Sequence, residues 1–127
     1  MKVLEELFYS KEHVWVKKEG EKAYIGITDF SQDLMGSINH VGLPAVGRDF
    51  TAGDNFVVIE AVKASTDVSI PINGTVVEVN NAVADIPSLL NEDPYKNWII
   101  SIKNLNDSQL EKLMKADEYR EFCTEKK

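Results

Sequence analysis

Two β-rich apolar runs separated by a single lysine constrain the fold of this chain more than any other feature. The first, Asn55 to Val62, contains Phe56, Val57, Val58, Ile59 and Val62; the second, Val68 to Val79, contains Ile70, Ile72, Val76, Val77 and Val79. Lys63 stands between them in Glu60-Ala61-Val62-Lys63-Ala64-Ser65-Thr66-Asp67, and it is the only lysine between Lys22 and Lys96. Branched and aromatic residues in runs of this length favour strands. An unpaired ammonium is too costly to bury, so the simplest placement is the outward tip of a hairpin, where another enzyme can reach the amine. Lys63 is therefore a candidate for covalent modification.

The rest of the chain reads as short strands divided by turn residues. Val14-Trp15-Val16 and Ala23 to Ile27 flank the charged, glycine-containing stretch Lys17 to Glu21, a hairpin pattern. Thr28 or Asp29 is placed to cap a short helix through about Met35, ended by Gly36, with a strand following to about Val41. Gly42, Pro44, Gly47 and Gly53 punctuate the next stretch, and Asn73-Gly74 is a turn signal between the runs Val68 to Ile72 and Thr75 to Val79. Ala82 to Leu90 predicts an irregular or short helical crossover, and Trp98 to Ile102 a final core strand. Asp107 or Ser108 is placed to cap a helix with Leu110, Leu113 and Met114 on one face, and Ala116 to Phe122 predicts another carrying Tyr119 and Phe122. These would form a helical cover over an open end of the sheets, about residues 107–125. Many short strands with frequent turns predict a mainly β sandwich or barrel with short helices.

At 127 residues and 43% hydrophobic, the chain is long enough for one domain, residues 1–127, and short for two. Fourteen basic residues against twenty-one acidic ones leave a net charge of −7, with no Lys/Arg cluster to neutralise a phosphate backbone, so nucleic acid is excluded as a partner class. No run approaches the ~18 apolar residues of a membrane span, and Glu5-Glu6 arrives too early for a secretory signal, which predicts a cytoplasmic protein with no membrane partner. Cys123 is the only cysteine and cannot form an internal disulfide. His13 and His40 lack partners at metal-ligand spacing; Ser31, Ser65 and Ser69 lack a nucleophile elbow; there is no glycine-rich phosphate loop. No catalytic or metal-binding residue is expected.

The segment Glu60 to Asp67 resembles the lipoylation motif of the glycine cleavage system H protein family, commonly Glu-Ser-Val-Lys-Ala with a Ser-Asp shortly after. Further blocks are similar to that family in the family's order: Ser10 to Val16, Ile25 to Gln32, Gly42 to Gly47, Pro71 to Asn80 and Asn91 to Tyr95. The resemblance runs from Tyr9 to Phe122. It implies a lipoyl-domain-like flattened β-barrel or sandwich, with (R)-lipoate attached to Lys63 in amide linkage as the cofactor. Glu60, Val62, Ala64, Ser65 and Asp67 would then be the residues by which a lipoate-attaching enzyme recognises the lysine hairpin. The implied function is a carrier that catalyses nothing itself. It takes an aminomethyl group from glycine decarboxylase (P protein) to aminomethyltransferase (T protein) and is reoxidised by dihydrolipoamide dehydrogenase (L protein). A second reading is a relay protein supplying lipoyl or octanoyl groups to other lipoyl domains. The chain departs from the family where Val14 replaces an acidic residue after the histidine of the first block, where Asn39 to Gly42 replaces a more apolar-acidic stretch, and where the Tyr95 to Trp98 connection is one residue shorter and lacks a glycine. A local loop change is expected from the last of these, with the fold kept and Glu12 close enough to stand in for the missing carboxylate.

Overall fold

Val14–Glu19 (β2) and Lys22–Ile27 (β3) form the expected hairpin, turning at Gly20 with φ of 64°. In this computed structural model, which describes residues 1–125, the first three residues of β2 are all buried, which alternation alone would not give. The reason is that both faces of β2 are covered. Val14 and Val16 enter the main core, while Trp15 enters a second cluster with Leu7, Tyr9, Ala116, Tyr119 and Cys123.

The strands divide into two antiparallel sheets. Phe8–Tyr9 (β1), β2, β3, Ile100–Lys103 (β9), Gly74–Val79 (β8) and Asp49–Phe50 (β5) form the larger one, in that order. Ile38–Gly42 (β4), Asn55–Ala61 (β6) and Ser65–Ser69 (β7) form the smaller. Val16, Ile25, Ile27, Ile100 and Ile102 from the first sheet share one core with Ile38, Val41, Phe56, Val57, Ile59 and Val68 from the second. The molecule is thus the mainly β, lipoyl-domain-like sandwich expected, with short helices between the strands and at the C-terminal end.

The helix Asp29–Met35 (α1) begins and ends as read: the Thr28 hydroxyl accepts from the Ser31 N–H at 3.2 Å, and Gly36 closes it with φ of 77°. Asn81–Asp85 (α2) and Leu89–Glu92 (α3) make the expected crossover, and Asp107–Glu111 (α4) and Ala116–Glu125 (α5) are the C-terminal helices, with Tyr119 and Cys123 of α5 packed in one cluster with Tyr9 and Trp15. No described helix is long and apolar enough to cross a membrane.

Two local expectations, the start of the final strand and the cap of α4, are corrected, and one turn is given its place. Asn73-Gly74 links strands of different sheets, since β7 pairs with β6 whereas β8 pairs with β5 and β9. Packing favours Gly74 there, since a Cβ would lie 2.5 Å from Cδ1 and 3.0 Å from Cβ of the fully buried Ile102. The final strand starts at Ile100, and Trp98 is only half-buried, edge-on to Tyr24 at 5.1 Å between centroids. The cap of α4 is Asn106, whose side chain accepts from the Gln109 N–H, one residue before the earliest expected candidate.

Candidate functional site

The lysine hairpin is tight. Glu60 pairs with Ser65 across β6 and β7, and the Ala61 N–H donates to the Ala64 carbonyl at 2.9 Å, leaving only Val62 and Lys63 in the bend. Both project outward, Val62 with 74% of its surface exposed. Ala64, Ser65 and Glu60 are exposed just below them, while Asp67 lies farther down β7, opposite Val58. Glu60 Oε2 sits 3.8 Å from Nε2 of His40 on β4, close enough to pair when the imidazole is protonated. The residues singled out in the sequence are therefore all on the hairpin, but they do not form one cluster: Val62, Lys63 and Ala64 make the tip, Glu60 approaches His40 of β4, and Asp67 lies farther down β7 at the edge that borders a cleft.

The bend does not stand free. The Val62 N–H donates to the Ser37 carbonyl at 3.0 Å and the Lys63 N–H to the Met35 carbonyl at 2.9 Å, so the tip is seated on the turn between α1 and β4. Gly36 occupies the middle of that turn, where a Cβ would meet Cγ of Lys63 at 3.3 Å. Its absence lets the methylene stem lie across the backbone while the ammonium stays in solvent, the usual arrangement of a long cationic side chain. Asn91 braces the same turn from behind. Its Oδ1 accepts from the Ile38 N–H at 2.9 Å, and its Nδ2 donates to the Gly36 carbonyl and to Gln32 Oε1, each at 2.9 Å. Sequence reasoning missed both the seat and the brace. The only signal for Asn91 was its place at the head of the block Asn91 to Tyr95.

Beside the hairpin, on the Asp67 side, lies a cleft of about 300 Å³. Leu34, Met35 and Val68 give it an apolar wall, and Glu12, His13 and Asp67 stand on its polar edge. His13 is held rather than loose: its Nδ1 is 2.7 Å from the Tyr119 hydroxyl and its ring stacks on Phe30 at 4.5 Å. The same hydroxyl is 2.7 Å from Thr28 Oγ1, and burial pushes its pKa upward. Val14, by contrast, is fully buried in the core and does not face the cleft. Position 14 therefore does not line the cleft, whereas Glu12 does. The shortened connection after Tyr95 is closed by Asp93, whose Oδ1 accepts from the N–H groups of Tyr95 and Lys96, and by Asn97, which donates to the carbonyls of Leu89 and Asp93.

Residues 7–126 match the family model described as Glycine cleavage H-protein. The chain is 59% identical over 122 residues to the glycine cleavage system H protein 1 of Caldanaerobacter subterraneus subsp. tengcongensis, with 96% of this chain and 98% of that one covered. It is 44% identical over 125 residues to the glycine cleavage system H protein of Clostridium botulinum, covering 98% and 96%. The crystal structure of a glycine cleavage system H protein from Mycobacterium marinum superimposes with a TM-score of 0.83 at 29% identity, over 92% of this chain and 95% of that one. With the family model spanning nearly all of its length, and the fold agreeing, this chain belongs to the glycine cleavage H-protein family.

Proposed function

We propose that this chain is the lipoyl-carrying shuttle of a glycine cleavage system, with Lys63 as the attachment point. The observation that carries the proposal is the exposed lysine at a two-residue bend whose backbone is seated on Met35 and Ser37, in a chain of this family. Val62 and Ala64 leave the amine accessible, and Glu60, Ser65 and Asp67 give an attaching enzyme a polar hairpin to recognise. When bound, (R)-lipoate supplies a dithiolane that accepts an aminomethyl group and is afterwards reoxidised. The chain's own residues do the rest by placement. Lys63 turns a diffusing cofactor into a tethered one with a high local concentration at each partner. Leu34, Met35 and Val68 offer an arm a water-poor wall, and Glu12 and Asp67 place negative charge where an amine would be held. No step of bond making is assigned to the protein, which acts as one carrier domain in the cytoplasm. The expected partners are glycine decarboxylase, aminomethyltransferase, dihydrolipoamide dehydrogenase and the lipoate-attaching enzyme. The relay reading is not favoured, since the relatives carry the glycine cleavage name.

The test is the intact mass of the protein purified from its own cells, with the modified peptide mapped, followed by glycine loading with purified glycine decarboxylase. A lipoyl mass on Lys63 and an aminomethyl gain with glycine are expected, and Lys63→Arg should show neither. Modification at another lysine, or none, would refute the assignment.

A further inference from the structure

We propose that Asn91 is a positioning residue for Lys63, and that its carboxamide fixes the backbone on which the lysine bend is seated. The segment Met35 to Ile38 is held from two sides. On one, the carbonyls of Met35 and Ser37 accept from Lys63 and Val62. On the other, Asn91 accepts from the N–H of Ile38 and donates to the carbonyl of Gly36. Acceptors at 35 and 37 thus point to the hairpin, while the groups at 36 and 38 point to Asn91, so one side chain plays the part of a neighbouring strand along this stretch. Without it, an N–H and a carbonyl would lose their partners beside the bend.

The brace is itself anchored. Leu90, the residue before Asn91 on α3, is fully buried in the main core, which fixes where the carboxamide stands. The second hydrogen on Nδ2 goes to Gln32 Oε1, and Gln32 Nε2 donates to Asp29 Oδ1 at 2.9 Å. This chain of amides orients Asn91 so that its oxygen faces Ile38 and its nitrogen faces Gly36. A brace is needed because Gly36, in the left-handed region with no side chain, has the least intrinsic backbone restraint of any residue in the turn. A hairpin tip held in one geometry presents its lysine to a catalytic pocket without first losing freedom on binding. The block Asn91 to Tyr95, which starts twenty-eight positions after Lys63 by the numbering, thereby acts on the lysine through the turn after α1.

The proposal rests on Lys63 being the acylated residue, so two readouts are taken. One is amide hydrogen exchange of Val62 and Lys63 in the whole, unmodified chain; the other is kcat/KM for acylation of Lys63 by a purified lipoate–protein ligase given lipoate and ATP. In Asn91→Ala, exchange at Val62 and Lys63 should quicken roughly tenfold while amides of Ile25 and Ile102 keep their protection, and acylation should fall by a similar factor, the scale expected for one or two lost hydrogen bonds. Asn91→Asp keeps the size and the acceptor but loses both donors, and should loosen the bend at least as much. It decides on the same readouts if Asn91→Ala does not fold. Ile100→Val, a core substitution that also lowers the melting temperature, should leave both readouts at the wild-type level. Unchanged exchange at Val62 and Lys63, equal quickening in Ile100→Val, or faster exchange with unchanged acylation would each overturn the proposal. If the wild-type chain is not acylated at all, the assignment of Lys63 fails, while the exchange data still decide whether Asn91 holds the bend.

Discussion

Gly26→Ala should unfold this protein more easily even though Gly26 lies within a regular strand, next to its last residue, and has no positive φ. Gly26 pairs with Trp15 across β2 and β3, and an alanine Cβ would fall 2.7 Å from Cε2 and Cζ2 and 2.8 Å from Nε1 of that indole. The ring has little room to retreat: Trp15 is 2% exposed, and its Nε1 donates to the Pro94 carbonyl at 3.1 Å. Overpacking of this kind costs about 1–3 kcal/mol. A shift of the ring that breaks the Pro94 hydrogen bond adds about 1 kcal/mol. Removing glycine from the unfolded chain offsets about 0.4–1 kcal/mol. The net expectation is a loss of about 2 kcal/mol, or roughly 8 °C in melting temperature for a chain of this size. Urea and thermal unfolding followed by circular dichroism measure it, and a double-mutant cycle with Trp15→Phe tests its cause. Trp15→Phe, destabilising by itself, should cost about 1–2 kcal/mol less when residue 26 is alanine. A neutral Gly26→Ala, or a strictly additive cycle, would refute the argument that the indole occupies the missing side chain's place.

Three further outcomes are expected. Val14→Glu should destabilise by about 3 kcal/mol or more, because it places a carboxyl in the fully buried position of Val14; Glu12→Gln should leave the urea midpoint nearly unchanged but quicken loss of an amine held in the cleft, and a stable Val14→Glu protein with slower amine loss would reverse this assignment. Trp98→Ala should cost about 1–3 kcal/mol, less than a fully buried tryptophan, because Trp98 is half-buried at the edge of the second cluster, with its ring against Tyr24; unfolding midpoints decide it. Stability should fall at alkaline pH: burial raises the phenols of Tyr9 and Tyr119 and pushes Tyr95 up to about 12. The folded state then keeps protons that the unfolded chain releases near the ordinary tyrosine value of about 10, so the stabilisation is complete below that pH and is lost as pH rises above it; a urea midpoint unchanged between neutral and strongly alkaline buffer would contradict this.

What the sequence made legible was whatever depends on near neighbours. Thr28 and Gly36 bracket α1 because a cap needs one hydroxyl and a helix end needs one residue free to take positive φ. Lys63 was legible because an isolated charge between apolar runs has few places to go. Asn73-Gly74 marked a break between two runs but not which strands it joins, because the same residue types serve a hairpin turn and a passage between sheets; only the pairing of β8 with β9 separates them, and Gly74 answers to Ile102, twenty-eight positions on by the numbering. The α4 cap was displaced because Asn106, Asp107 and Ser108 are all competent acceptors. The burial of Val14 and the contacts of Asn91 depend on side chains meeting across the tertiary structure, and no local pattern in either stretch encodes them.

The order of strands in the larger sheet sets a timetable for the chain's synthesis. One of its two central strands, β9, lies between β3 and β8, and it is the last strand to be made. Residue 23 waits for residue 102 as its partner, whereas the smaller sheet is complete in sequence by Ser69. A nascent chain therefore has its lysine hairpin written long before the layer that buries its inner face can close, and pairing across such separations is slow. Were Lys63 the attachment point, an enzyme that reads the braced bend would act after Asn91 and β9 have been made.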